Sequence, residues 1–140
     1  MIGHGSFDIK VDNQVCLSRI NGAWNKEEAR LYCTKLKDSL KELIKQPWAM
    51  IVYLNDWELG TPETEQISNE LVQWCMEHDL RKIVTVYSPN LIKNLQIERL
   101  TIKSIGAVDF RCFAQEKEAF AWLKSEGYVV NHSHFTPPET

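Results

Sequence analysis

The chain has 140 residues, of which 44% are hydrophobic and 25% charged, a composition typical of one globular domain with a single core. The formal net charge is -3, so the broad basic surface that binds nucleic acid is not expected. No stretch approaches the ~20 consecutive apolar residues of a membrane span, and the N-terminus lacks the basic and apolar regions of a secretory signal. These features exclude a transmembrane protein and predict a soluble, cytoplasmic one.

The domain is expected to span residues 1–130, and residues 131–140 are expected to form a flexible tail. Four cysteines are widely spaced and fall on predicted strands or helices: Cys16, Cys33, Cys75 and Cys112. This spacing favours reduced, mostly buried thiols over a disulfide framework or a zinc site.

The first 20 residues predict an antiparallel β-hairpin. Alternating runs over Phe7 to Asp12 and Val15 to Ile20 flank the polar pair Asn13-Gln14. A connection of two residues joins antiparallel strands, whereas parallel strands need a crossover of about a dozen residues or more. The first two strands are therefore expected to be neighbours in the sheet.

Extended runs alternate with helical patterns through the rest of the chain. A first helical pattern begins at Asn25, and the runs Ala49 to Leu54, Lys82 to Tyr87 and Val108 to Phe113 are each followed by another. This order is typical of βαβ units with parallel strands. We therefore predict an α/β fold with a single-layer mixed sheet of about five strands and four helices.

The first two helices have clear start signals. Asn25 is followed three residues later by Glu28, the pattern of a capping box. Thr61-Pro62-Glu63 combines an N-cap residue, a proline at the first helical position and an acid. Both helices carry apolar residues at helical spacing, so each is expected to bury one face on the sheet.

The third helical pattern, which follows Ser88-Pro89-Asn90, differs from the others. Its apolar residues project around much of the helical wheel: Leu91, Ile92, Leu95, Ile97 and Leu100. It has Lys93 in its first turn and no acid before Glu98, whereas the other helices begin with acids. Its start is therefore the best candidate for anion binding, against the alternative of a turn with a solvated lysine.

The segment order and several local patterns resemble the STAS, or SpoIIAA-like, superfamily. The patterns are Gly22-Ala23-Trp24-Asn25 after the hairpin, the strand from Met50 to Leu54, and the closing helix with Glu118-Ala119-Phe120-Ala121-Trp122-Leu123. The resemblance covers nearly the whole chain and implies the SpoIIAA-like fold.

Superfamily members of the anti-sigma antagonist type carry a phosphorylatable serine in a turn between the third strand and the second helix. The corresponding turn reads Asn55-Asp56-Trp57-Glu58-Leu59-Gly60-Thr61 and holds no serine. Thr61 is the nearest hydroxyl, and the proline and acid after it favour helix capping over phosphorylation. The chain is therefore more similar to the non-phosphoswitch SpoIIAA-like branch, whose members mostly lack an assigned activity. Some relatives in that wider group have been likened to lipid-carrying Sec14-type domains.

Three loops are expected to meet at the carboxyl ends of the parallel strands, where open α/β sheets bind ligands. They contain Trp24-Asn25, Asn55 to Thr61, and Ser88 to Asn90. Trp24 and Trp57 would form an aromatic wall for a flat or acyl ligand, or would simply close the end of the core. Asp56 and Glu58 are spaced for an acid and base pair, but solvated loop carboxylates are the expected state.

His132 and His134 form a His-x-His pair near the C-terminus. Two imidazoles at this spacing in an extended segment suit a metal ion, but no carboxylate or thiol completes the ligand set at short range. A flexible tail without a metal is therefore expected. The sequence contains no nucleophile elbow, phosphate-binding glycine loop or zinc motif, so neither a cofactor nor an enzymatic activity is predicted.

These patterns favour two functions over the third alternative, an enzyme that uses Asp56 and Glu58. The first is a non-enzymatic regulatory or protein-interaction domain, which binds a protein partner or a second copy through its third helix at Leu91 and Ile92. The second is a carrier of a small apolar or acyl ligand under that helix, with an anionic head near Ser88, Asn90 and Lys93.

Overall fold

The computed structural model describes residues 5–58, 61–88 and 108–135, which form a five-stranded mixed sheet with helices on both faces. In order across the sheet, the strands are β1 (Ser6–Asp12), β2 (Val15–Asn21), β3 (Trp48–Tyr53), β4 (Leu80–Val86) and β5 (Asp109–Phe113). The β1–β2 pair is antiparallel, and each later strand is parallel to the one before it. The predicted α/β class, the hairpin and the mixed sheet are therefore confirmed.

The hairpin closes through a turn of two residues. Asp12 pairs with Val15, which leaves Asn13 and Gln14 as the connection. Asn13 has a φ of 55°, in the left-handed region that two-residue hairpin turns require and that asparagine tolerates better than most residues. The turn chemistry therefore fixes the register of the first two strands.

Three α-helices lie within the described residues: α1 (Lys26–Ser39), α2 (Pro62–Met76) and α3 (Glu116–Ser125). The predicted third helix falls in residues 89–107, outside the described ranges, so the expected total of four helices is not confirmed. The helix α1 ends at Ser39, and Leu43 belongs to a separate 3-10 turn, Leu43–Lys45. Within the described ranges, no helix combines the length and apolar character needed to cross a bilayer.

The predicted helix caps are present. The side chain of Asn25 accepts a hydrogen bond from the backbone N–H of Glu28 at 3.0 Å, and the Glu28 carboxylate accepts one from the N–H of Asn25 at 3.2 Å. The Thr61 hydroxyl accepts a hydrogen bond from the N–H of Thr64 at 3.3 Å. Both helices therefore begin at the residues that the sequence indicates.

Two apolar cores lie on opposite faces of the sheet because neighbouring residues of a strand point to opposite sides. Cys16, Met50 and Ile83 pack with residues of α1 and α2. Ala49 and Ile51 pack with α3 through its buried residues Ala119 and Leu123, and Val15, Leu17, Val84 and Val86 belong to the same cluster. The sheet is therefore covered on both sides, which explains the nearly continuous apolar sequence of β3.

A Schellman motif at the end of α3 turns the chain back towards the sheet. Gly127, at a φ of 94°, donates its N–H to the carbonyl of Lys124 at 3.1 Å, and Tyr128 donates to the carbonyl of Leu123 at 2.8 Å. Glycine is favoured at this position because its backbone is left-handed. The chain then runs to the hairpin turn, where the Asn13 side chain donates to the carbonyl of Val129 at 2.8 Å.

Residues 131–135, the described part of the predicted tail, contact the sheet. Asn131 donates its backbone N–H and its side-chain amide to the two carboxylate oxygens of Asp12, at 2.9 and 3.0 Å. The ring of Phe135 lies edge-on to that of Tyr53, with 5.1 Å between the ring centroids. Burial raises the pKa of Asp12, but hydrogen bonds from His134 and Asn131 outweigh it and hold the pKa below its usual value.

Candidate functional site

The loops that follow β2, β3 and β4 lie side by side at one edge of the sheet. The N–H of Gly22 donates to the carbonyl of Asp56 at 2.8 Å, and the N–H of Glu58 donates to the carbonyl of Gly22 at 3.1 Å. Ser88 donates its backbone N–H to the side-chain oxygen of Asn55 at 2.7 Å. The predicted meeting of these loops at the carboxyl ends of parallel strands is therefore observed.

An apolar cavity of about 160 Å³ lies between this edge, the two helices α1 and α2, and the sheet. The sheet contributes Ile20, Met50, Val52, Ile83, Thr85 and Phe110 to its lining. The two helices contribute Ala29, Tyr32, Cys33, Thr64, Glu65, Ile67, Ser68, Leu71 and Val72. Trp24, Leu54 and Trp57 contribute from the loops that follow β2 and β3.

Trp24 and Trp57 line this cavity together, and Trp24 also closes the end of the core. The indole N–H of Trp24 donates to the carbonyl of Asn21 at 2.7 Å, and its ring packs 5.4 Å from the ring of Tyr32. A Cβ atom at Gly5 would overlap the Trp24 ring, so only glycine leaves room for the ring in this position. The indole is thus held with its polar atom satisfied and its ring available to the cavity.

Polar groups of α2 and β4 interrupt the apolar lining. The hydroxyl of Thr64 donates to the carbonyl of Thr61 at 2.8 Å, and the hydroxyl of Thr85 donates to the sulfur of Cys112 at 3.0 Å. Glu65 and Ser68 bring a carboxylate and a hydroxyl to the same wall. Sequence reasoning missed this part of α2, although Thr64 and Ser68 lie four residues apart and therefore on one helical face.

Two titratable groups of the lining have pKa values that burial shifts. Burial raises the pKa of the Cys33 thiol and of the Tyr32 hydroxyl, so both are neutral near pH 7. Asp56 and Glu58 are exposed, in the solvated state expected of loop carboxylates. Among the described lining residues there is no histidine, lysine or arginine.

Two other predicted site residues, Thr61 and Ser88, are not among the described residues that line the cavity. Thr61 is exposed and caps α2, and Ser88 is exposed at the end of β4. Four predicted site residues lie outside the described ranges, so their positions relative to the cavity are not part of the described structure: Asn90, Leu91, Ile92 and Lys93.

A second group of chemically versatile side chains lies at the opposite end of the sheet, beside the hairpin turn. Asp12, His132 and His134 each place one potential metal-ligand atom within 4.8 Å of the other two. Nε2 of His134 is 2.8 Å from Oδ2 of Asp12, and the two imidazole centroids are 4.2 Å apart. The sequence offers no third ligand near the two histidines in the chain. The fold supplies Asp12, which comes from the other end of the chain.

The architecture places the protein in the class of SpoIIAA-like α/β folds. No family model matches the chain. No curated protein matches it either. Among solved structures, it is similar to the crystal structure of an uncharacterized protein from the DUF3478 family with a SpoIIAA-like fold, from Shewanella loihica PV-4. The two share 12% sequence identity over 88% of this chain and 96% of the other, with a TM-score of 0.66. This likeness establishes the SpoIIAA-like fold that the sequence resemblance implied.

Proposed function

We propose that this protein is a non-enzymatic carrier of a small apolar molecule, which binds in the cavity between α1, α2 and the sheet. The observation that carries the proposal is the cavity itself, about 160 Å³ in volume and lined mostly by apolar side chains. Protein interiors are packed as densely as organic crystals, so a space of this size beside a tightly packed sheet is uncommon. An engineered apolar cavity of about 150 Å³ in another protein stays dry and binds benzene.

The cavity volume sets the size of the ligand. A volume near that of the benzene-binding cavity accommodates one aromatic ring or an acyl chain of about six carbons, and is smaller than the roughly 300–1,000 Å³ of drug-sized pockets. The rings of Trp24 and Trp57 offer flat apolar surfaces to such a ligand. A long-chain lipid would need space beyond the described cavity.

The apolar lining favours an uncharged ligand over an acid of the same size. A charged group that leaves water for such a lining loses hydration that few polar side chains there replace. An anionic head near Ser88, Asn90 and Lys93, as the sequence suggests, would therefore have to lie outside the cavity. We expect hexanol to bind more tightly than hexanoate.

The proposal is tested by thermal unfolding of the full chain with benzene, hexanol or hexanoate, together with tryptophan fluorescence. A ligand at about ten times its dissociation constant stabilises the folded state by about 1.4 kcal/mol, which raises the Tm of a chain of this size by roughly 5 °C. Benzene and hexanol should produce this shift and change the emission of Trp24 and Trp57.

Cavity-filling variants provide the specificity control. Ser68→Leu and Ala29→Phe both add volume to the lining and should remove the ligand-induced shift. Ala121→Phe makes the same change as Ala29→Phe at an exposed position on α3 and should keep the shift. Absence of any shift in the unmodified protein, or an equal shift in folded Ser68→Leu, would overturn the assignment.

The regulatory or protein-interaction domain stays a second proposal, because its contact residues Leu91 and Ile92 lie outside the described ranges. Native and denaturing mass spectra of the protein purified from its own organism separate the two proposals. A small non-covalent adduct that disappears on denaturation supports the carrier. A ligand-free dimer or a complex with another protein contradicts the carrier and supports the interaction domain.

A further inference from the structure

Three metal-ligand side chains from opposite ends of the chain meet beside the hairpin turn. Asp12 is the last residue of β1, whereas His132 and His134 follow α3. Their potential ligand atoms all lie within 4.8 Å of one another. We propose that Asp12, His132 and His134 form a binding site for a divalent first-row transition metal, with Zn²⁺ as the best fit, and that the ion clamps the C-terminal segment to the hairpin.

The distances among the three groups are close to those of a metal site. Two ligand atoms about 2.0–2.1 Å from a tetrahedral ion are about 3.3 Å from each other. The separation of 2.8 Å between His134 Nε2 and Asp12 Oδ2 is slightly below this value, and all three ligand atoms lie within 4.8 Å of one another. Because His132 is exposed, its ring can rotate towards an ion without disturbing the core.

The carboxylate is already oriented by its neighbours. Asp12 is 6% exposed, and Asn131 donates hydrogen bonds to both of its oxygens. Hydrogen bonds of this kind to a ligand's own atoms fix its direction and support metal affinity. A buried negative charge beside two imidazoles attracts a cation, whose charge would also offset that of Asp12.

The donor set selects the class of metal. Imidazole nitrogen suits zinc, copper, nickel and iron, whereas magnesium and calcium prefer oxygen ligands throughout. Two histidines and one carboxylate supply three of the four tetrahedral positions of Zn²⁺ and leave the fourth to solvent. A neutral His134 that donates from Nε2 would move that proton to Nδ1 when Nε2 binds the ion, so the step changes the tautomer and oxidises nothing.

His132 distinguishes a metal site from a simple hydrogen-bonded anchor. Asp12 is joined to the segment by Asn131 and His134, and neither contact involves the His132 side chain. Removing the His132 imidazole therefore leaves the anchor in place but deletes one of three metal ligands. If Asp12 only anchored the segment through hydrogen bonds, removal of the His132 imidazole would not change the zinc affinity.

The test uses the full chain, reduced and stripped of metal with EDTA, in calorimetric titrations with ZnCl₂ near pH 7.5. We expect one Zn²⁺ per chain, a higher Tm with zinc, and an affinity at least about tenfold lower for His132→Ala, for His134→Ala and for Asp12→Asn. Co²⁺ should give the absorption bands of a tetrahedral complex in the unmodified protein and lose them in His132→Ala.

Two variants control for other zinc ligands. His78→Ala removes a histidine at the end of α2, where its ring stacks on Trp74, and should keep the zinc affinity. Cys112→Ser removes an exposed thiol and should also keep it. Unchanged affinity in His132→Ala, no zinc binding by the unmodified protein, or loss of binding in Cys112→Ser would each overturn the proposal.

Discussion

Cys16 and Cys75 are fully buried in the core between the sheet and the helices α1 and α2, and burial raises the pKa of each thiol to about 12. Cys33 is half-buried in the cavity lining, and burial raises its pKa as well. Cys112 is exposed on β5. The four free thiols are therefore expected to differ in reactivity, because the thiolate is the reactive form.

Reaction with a disulfide reagent, followed through the thiolate that the reagent releases, should distinguish the reactivities of the four cysteines. At about pH 8, a thiol with a pKa near 12 is ionised in roughly one molecule in ten thousand, so Cys16 and Cys75 should react only on unfolding. One thiol, Cys112, should react rapidly, and Cys33 should follow more slowly. Cys112→Ser should remove the rapid phase, and a rapid phase that persists in this variant would contradict the assignment.

The cysteines also show where residue-level prediction succeeds and fails. Burial of Cys16 agrees with its place in β2, a strand with neighbours on both sides. The expectation of mostly buried thiols is wrong for Cys112, which lies on the outermost strand β5 and is exposed. An alternating sequence does not reveal whether a strand is central or at the edge, because that depends on pairing with distant segments.

At the scale of single elements, local signals at the helix ends agree with the structure. The reciprocal hydrogen bonds of Asn25 and Glu28 involve residues three positions apart, so both partners are visible in one short stretch of sequence. The same holds for Thr61 and Thr64 at α2. Each helix start depends on neighbours along the chain rather than on the fold around it.

Replacing the α1 cap should destabilise the protein measurably. Asn25→Ala removes the acceptor of the Glu28 N–H and should lower the free energy of unfolding by about 1 kcal/mol, within a usual range of roughly 0.5–2 kcal/mol. Thr34→Ala is the control, because Thr34 is exposed in the middle of α1 and its hydroxyl only bonds the carbonyl of Arg30. Urea unfolding measures both. Equal losses in the two variants would show that the capping interaction contributes nothing specific.

The C-terminal segment shows the limit of prediction for an element. At the end of α3, Gly127 and Tyr128 make the hydrogen bonds of a Schellman motif, which is local in the chain. The attachment of Asn131 to Asp12 joins positions 119 residues apart in the chain. Polar residues after a helix are typical of a tail, and only the three-dimensional course of the chain supplies Asn131 with a partner.

At the scale of the whole molecule, acids buried in their neutral form link stability to pH. Cys16 and Cys75 have pKa values raised from 9.0 to about 12 by burial. Burial also raises the pKa of Tyr32 and Tyr53, and the hydrogen bond of Tyr53 to Glu116 adds to the effect. Above about pH 9 the unfolded chain therefore loses protons that the folded chain keeps, and the free energy of unfolding decreases as the pH rises.

Urea unfolding at pH values of about 8, 9 and 10 tests this linkage. Each buried thiol should cost roughly 1 kcal/mol of stability by pH 10, and the tyrosines should extend the loss at higher pH. Cys75→Ala should reduce the loss between pH 8 and pH 10 by roughly 1 kcal/mol, whatever its effect on stability at neutral pH. A free energy of unfolding that does not change over this range would contradict the raised pKa values.

The sequence by itself determined the order of strands and helices, the hairpin and two helix starts. These features follow from alternation, turn residues and caps, which act between residues close in the chain. The SpoIIAA-like fold was implied by the family resemblance, and the similarity to a solved structure supports it. The loops at the carboxyl ends of the strands were also predictable, because parallel strands end at one edge. Only the tertiary structure decided the shape and polar lining of the cavity, to which β2, β5, α1 and α2 all contribute. It alone brought His134 to Asp12 across 122 residues, since such contacts arise when packing and chain direction, rather than local pattern, select the neighbours.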